Sequence, residues 1–188
     1  MDNGEALLQM SLEELWELFP IQLTEHQDCW ARWFEEEKAL LETVLPAGAS
    51  VHHIGSTAIP DIWAKPIVDI LIELPDVAAL PQTASSLMTV GYLPMHEETA
   101  RLDLNKGYTV HGFAERVFHV HLRVAGDAHE LVFRDYLIRH PRAAQEYEKL
   151  KLRLWREYEH DRDGYTAAKG AFVTFCMEQA AQEIVRPE

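Results

Sequence analysis

Three groups of residues in this sequence could do chemistry. Asp69 interrupts the run Ile67-Val68-Asp69-Ile70-Leu71-Ile72-Glu73-Leu74, which otherwise has the composition of an interior β-strand. A carboxylate placed there is costly unless a loop amide, a basic neighbour such as Lys65 or a bound cation compensates it. Upstream, Gly55-Ser56-Thr57 follows the strand-like stretch Ser50 to Ile54. A strand that runs into a Gly-Ser turn exposes backbone amides able to hold phosphate oxygens, and the next strand can present a carboxylate to the same phosphates. Downstream, His119-x-His121 puts two imidazoles on one face of a strand, where they could ligate one transition metal. With Asp69 beside them they would form a two-His, one-carboxylate set suited to zinc, manganese or iron more than to magnesium alone. The competing account leaves both histidines hydrogen-bonded to neighbours on a half-solvated sheet face.

The elements that must position these groups follow from periodicity and capping. Ser11-Leu-Glu-Glu14 has the form of a capping box, and Leu12, Leu15, Trp16 and Phe19 follow at helical spacing until Pro20. Thr24 with Gln27 is expected to open a second helix running to about Leu45. Ser50 to Ile54 is the first core strand, with His52 and His53 on opposite faces. Of the two, His53 could support the site, or could simply be hydrogen-bonded near the strand end. The second strand, Ile67 to Leu74, places Ile67, Asp69, Leu71 and Glu73 on one face. A helix is expected to start at Pro75-Asp76, break at Pro81 and resume to Gly91, with a short strand from Tyr92 to Met95. Arg101 to Asn105 and Arg116 to Val124 alternate like the arms of a hairpin bent at Lys106-Gly107-Tyr108. A second capping box at Asp127 and Glu130 opens a helix to His140, Pro141 starts another to about His160, and Gly164-Tyr165 separates off a last helix.

Composition excludes several functions. The chain has 188 residues, 47% hydrophobic and 26% charged, as expected for one globular domain spanning 1–188. Net charge is -14, with 6 basic against 19 acidic residues in 1–120 and 11 against 12 in the remainder. That balance weighs against an extended nucleic acid partner, while a mononucleotide needs only a local basic cluster. The longest apolar runs are too short to span a membrane, and the N-terminus lacks the pattern of an export signal. Two lone cysteines, Cys29 and Cys176, suit a reducing, cytoplasmic compartment.

His53-Ile-Gly-Ser-Thr-Ala58, followed by Ala64-Lys-Pro-Ile-Val-Asp-Ile70, resembles the signature of the GrpB family, placed in the polymerase-β-like nucleotidyltransferase superfamily. The resemblance continues through Asn105-Lys-Gly-Tyr-Thr109, Gly112-Phe-Ala-Glu115, Val117-Phe-His-Val-His121, Phe133-Arg-Asp-Tyr-Leu137, His140-Pro141 and Glu146-Tyr-Glu-Lys-Leu-Lys151. It implies an α+β (α/β) fold, with a nucleotidyltransferase-like mixed sheet of about five strands, packed helices and a helical C-terminal third. It also implies transfer of a nucleotidyl or phosphoryl group from a nucleoside triphosphate to a small acceptor. Gly55, Ser56 and Thr57 would hold the phosphates, and Asp69 with His119 and His121 would hold a divalent metal (Mg, Mn or Zn). Lys65, Lys106, Arg134 and Lys151, which fall in the shared motifs, would meet phosphate or developing charge. Superfamily enzymes usually carry Asp-x-Asp or Glu-x-Asp on the second strand. Here Ile67 stands at the first of those positions, so the usual two-metal set is incomplete. A non-catalytic module binding a nucleotide or phosphorylated metabolite, or a metal-dependent phosphoester hydrolase, are the alternatives.

Overall fold

The computed structural model describes residues 6–7, 9–127 and 129–185 and builds them around a five-stranded mixed sheet ordered β1-β2-β5-β4-β3. Helix α1 (Leu12–Leu18) begins with the predicted capping box: the Glu14 N–H donates to Ser11 Oγ at 3.2 Å and the Ser11 N–H to Glu14 Oε2 at 2.8 Å. Helix α2 (Cys29–Glu42) starts later than the Thr24 signal suggested, because Thr24 exchanges backbone hydrogen bonds with Ala64. Strands β1 (Ser50–Ile54) and β2 (Val68–Leu74) are antiparallel neighbours. Helix α3 (Leu80–Thr89) takes Pro81 into its first turn, where a missing N–H breaks nothing, instead of being interrupted by it.

Strands β3 (Leu93–Glu98), β4 (Arg101–Thr109) and β5 (Gly112–Val124) form an antiparallel meander whose last member runs parallel to β2. The hairpin turns at 110–111, later than expected. Lys106-Gly107-Tyr108 is a bulge inside β4, where the register shifts between Lys106 and Tyr108. A Cβ on Gly107 (φ +92°) would strike the Arg116 carbonyl, so this bulge demands glycine. The later turn sets Asp103 opposite His121 and Asn105 opposite His119.

Among the described residues four helices follow: α4 (His129–Arg139), α5 (Pro141–Glu157), α6 (Arg162–Ala168) and α7 (Gly170–Val185). The capping pair expected at Asp127 and Glu130 is used otherwise, since Asp127 accepts two bonds of 2.8 Å from Arg101 and Glu130 accepts one of 3.3 Å from Arg123. Gly164-Tyr165 lies within α6, because Asp161 caps that helix by accepting from the Gly164 N–H at 2.8 Å.

The two sheet faces have different tasks. Val68, Ile70 and Ile72 of β2, Phe118, Val120 and Leu122 of β5, and Leu102 and Leu104 of β4 meet Trp30, Phe34 and Leu41 of α2 and Leu80 and Leu87 of α3. Each such side chain contributes roughly 1.5–3 kcal/mol by leaving water. The opposite face carries the intervening polar residues. A second apolar cluster ties Ile59 and Ile62 to Tyr136 and Leu137 of α4, Tyr147 of α5 and Cys176 of α7. Both cysteines are free. Among the described residues, no helix is long and apolar enough to cross a membrane.

Candidate active site

The polar face of the sheet and the C-terminal helices enclose a cavity of about 380 Å³, within the range of small-molecule sites. Ile54 pairs with Asp69 across β1 and β2, so the chain leaves the sheet at Gly55 directly over that carboxylate. Gly55 has φ +69°, and a Cβ there would overlap Asp69. Glycine is thus required both for the backbone conformation and for the close approach. The short 3-10 turn Ser56–Ala58 follows, and Gly55, Ser56 and Thr57 all line the cavity.

Asp69 and His119 are register neighbours on parallel strands, with His121 two residues further along the same face. His119 Nδ1 lies 3.2 Å from Asp69 Oδ1, and His119 Nε2 lies 2.7 Å from the Tyr108 hydroxyl, which in turn receives Arg162 Nη1 at 3.1 Å. Burial disfavours the cationic form of His119 and outweighs the pull of Asp69, lowering its pKa. A neutral ring donating from Nδ1 and accepting from Tyr108 satisfies every partner. His121 takes the opposite state. Burial works against its charge, but the hydrogen bond to Asp103 (3.0 Å) and the attraction of Asp69 (3.8 Å) prevail and raise its pKa to about 9. Burial also opposes ionisation of Asp69, yet the two histidines hold its pKa far below the carboxylate norm. Asp103 behaves alike: burial is overcome by His121 and Arg123, and its pKa falls to about 2.

The facing wall is basic. Lys65, Lys151 and Lys169 all line the cavity. The ammonium groups of Lys65 and Lys169 each lie 4.4 Å from the centre of the Tyr165 ring. Lys151 donates to the Trp63 carbonyl and is only 2% exposed. Burial, reinforced by Lys169 and Arg162, lowers the Lys65 pKa to about 7, and burial with Lys169 does the same to Lys151. Burial lowers that of Lys169 to about 8. Glu130 is the remaining charged residue in the wall. Arg123 holds one of its oxygens, and the other, Oε2, is buried with no partner among the described residues.

The profile of the family described as "GrpB protein" matches residues 20–179. The chain belongs to the GrpB family. It is 33% identical over 177 residues to the UPF0157 protein YqkA of Bacillus subtilis, covering 92% of this chain and 51% of YqkA; the chain thus spans about half the length of that relative. The crystal structure of GrpB from Enterococcus faecalis superposes with a TM-score of 0.76 at 29% identity, covering 88% of this chain and 100% of that one. A more distant likeness is the Cid1 poly(U) polymerase bound to MgGTP, with a TM-score of 0.48, 11% identity, and coverage of 78% of this chain and 47% of that one. The α+β fold with a five-stranded mixed sheet expected from the family resemblance is the fold observed.

Within this GrpB fold, Gly55, Ser56, Thr57, Lys65, Asp69, His119, His121 and Lys151 meet in one cavity. Two residues expected there lie elsewhere. Lys106 pairs with Glu37 at 2.7 Å beside Tyr92, in register with Phe118 and so toward α2. Arg134 donates to the His53 carbonyl at 2.7 Å and to Asp135, fastening α4 to β1. His53 itself stacks on Phe34 at 4.8 Å, on the face away from the cavity, and its Nε2 meets Thr57 Oγ1 at 3.0 Å. The hydrogen-bonded strand-end account of His53 holds.

The metal set fits less well. Both ring nitrogens of His119 are engaged, one nitrogen of His121 faces Asp103, and Ile67 supplies no donor. Among the described residues, no three His, Cys, Asp or Glu side chains surround a common point where an ion could sit. Asp69, His119 and His121 do meet, but as a hydrogen-bonded chain instead of a preformed ligand set. The sequence reading missed Asp103, Tyr108, Glu130 and Lys169. Asp103 was legible in principle from the alternation of Arg101 to Asn105, once the hairpin turn is placed correctly.

Proposed function

We propose that this GrpB-family chain binds the phosphate chain of a nucleotide or similar small phosphorylated ligand and transfers a nucleotidyl or phosphoryl group from it to a small acceptor. The carrying observation is the convergence on one cavity of the Gly55-Ser56-Thr57 turn and three lysines from three different chain segments, opposite Asp69. The turn and the lysines suit phosphate oxygens, since amides and ammonium groups in a half-buried site stabilise charge that develops during transfer. In nucleotidyl transfer an acceptor oxygen bonds the α-phosphorus, the bond to the departing pyrophosphate breaks, and the acceptor's proton passes to a base. Glu130, which lines the cavity and is oriented through Arg123, is a carboxylate in the wall for that proton. His121, held as a cation, and His119, with both nitrogens occupied, serve to fix and balance Asp69.

The cavity is sized for a small ligand, and with the net charge of -14 this favours a mononucleotide over extended nucleic acid. Two free cysteines suit action in the cytoplasm. Ile67, at a position where the superfamily usually has a carboxylate, favours a second reading, in which the same cavity binds a nucleotide without turnover. Incubation with ATP labelled at the α- or γ-phosphate and a panel of small hydroxyl and amine acceptors separates the two. Label in a new product supports transfer and identifies the group moved. Saturable binding with no product supports the module reading, and neither binding nor product removes both.

A further inference from the structure

The geometry points to a phosphate-chain site that needs no divalent cation: the ammonium groups of Lys65, Lys151 and Lys169 themselves neutralise a di- or triphosphate seated at Gly55-Ser56-Thr57. This rests on the phosphate-binding reading above and adds how the charge is met.

Three ammonium groups are gathered in a mostly buried space, and among the described residues none of them is in an ion pair. Like charges crowded away from water are costly unless a counter-charge joins them. The Tyr165 and Tyr147 rings and one carbonyl are weak compensation for three cations. Their depressed pKa values record the same deficit. A polyphosphate carries the opposite charge in a chain of oxygens long enough to meet all three.

On the other wall, one oxygen of each carboxylate and three of the four ring nitrogens of His119 and His121 are already engaged, and among the described residues no three such groups converge on one point. Asp69 Oδ1 lies 3.2 Å from His119 Nδ1 and 3.8 Å from His121 Nε2, and His121 Nδ1 lies 3.0 Å from Asp103. Arg123 holds Glu130 Oε1 and leaves only Oε2 without a partner among the described residues. With three lysines set against Asp69 and Glu130, the basic side chains outnumber the carboxylates in the lining, and the field there favours an anion over a free cation.

Isothermal titration of the full chain in EDTA with inorganic tripolyphosphate, then with ATP, and with ATP plus magnesium or manganese, tests this. Expected are saturable binding of tripolyphosphate and ATP in EDTA, no tighter when metal is added. Lys169→Met should weaken tripolyphosphate by about tenfold or more, the loss of one charge-assisted contact. The same variant should melt at a higher temperature without ligand, because an unpaired, half-buried charge is gone, so misfolding cannot mimic the result. ATP binding only in the presence of metal overturns the inference and leaves the nucleotide reading standing. Tripolyphosphate binding without ATP binding supports the inference and overturns the nucleotide reading. No binding of either under any condition overturns both, and a Lys169→Met protein that binds like the parent overturns the inference.

Discussion

Gly55 stands so close over Asp69 that no side chain fits between the turn and the carboxylate. Gly55→Ala must therefore displace either the turn or Asp69, while also forcing an alanine into a left-handed backbone conformation. A stability loss of about 1–3 kcal/mol is expected, together with loss of ATP binding. Urea denaturation paired with a binding titration checks both.

Asp103 sets the charge of His121. In the parent chain the imidazole should titrate near pH 9, visible as the shift of its ring protons by NMR. Its folded pKa lies above the unfolded value, so its contribution to stability is complete below about pH 6.5 and fades as pH rises through 9. Asp103→Asn should bring the midpoint down by a unit or more, about 1.4 kcal/mol per unit. An unchanged midpoint would mean that Asp69 alone holds the proton.

The lysine cluster has the opposite sign. Lys65 and Lys151 titrate near 7 and Lys169 near 8, all below the value in an unfolded chain. Between those values and about pH 10 the unfolded chain binds more protons, so the ligand-free protein gains stability as pH rises. Polyphosphate affinity should fall over pH 7–9 as the ammonium groups deprotonate. Unfolding curves at several pH values, with Lys169→Met giving a shallower rise, test this against binding measured in the same buffers.

Lys106 offers an internal control. It salt-bridges Glu37, which is almost fully buried and also receives the Tyr92 hydroxyl at 3.0 Å. Lys106→Met leaves that carboxylate poorly compensated, with an expected loss of about 2 kcal/mol. ATP binding should be unaffected, because the residue lies on the far face of the sheet. Loss of binding with retained stability would contradict that placement.

Much of this was legible in the sequence where one local rule decided it. The boundaries of β1, the α1 capping box and the alternation in β2 and β5 follow from side-chain periodicity and cap chemistry alone. Asp69, His119 and His121 were visible as polar interruptions of apolar strands. What stayed hidden depended on register or on tertiary competition. Gly107 reads as a turn residue but serves a bulge, and that slip concealed the pairing of Asp103 with His121. Thr24 looks like a helix cap yet pairs with Ala64. Lys106 and Lys151 are equally plausible as phosphate ligands by composition, and only the side of the sheet distinguishes them. Lys169 gives no signal of its own beside a helix break that the sequence suggests five residues early.

The hydrocarbon that holds this sheet to α2 and α3 lies on one of its sides, while Asp69, His119, His121 and the lysines at 65, 151 and 169 line the hollow on the other. Side chains in the hollow can therefore change without touching the hydrocarbon on the other side, apart from those, such as Lys151 bound to the Trp63 carbonyl, that also tie segments together. Two chains that share this silhouette can thus differ wholly in what their hollows hold.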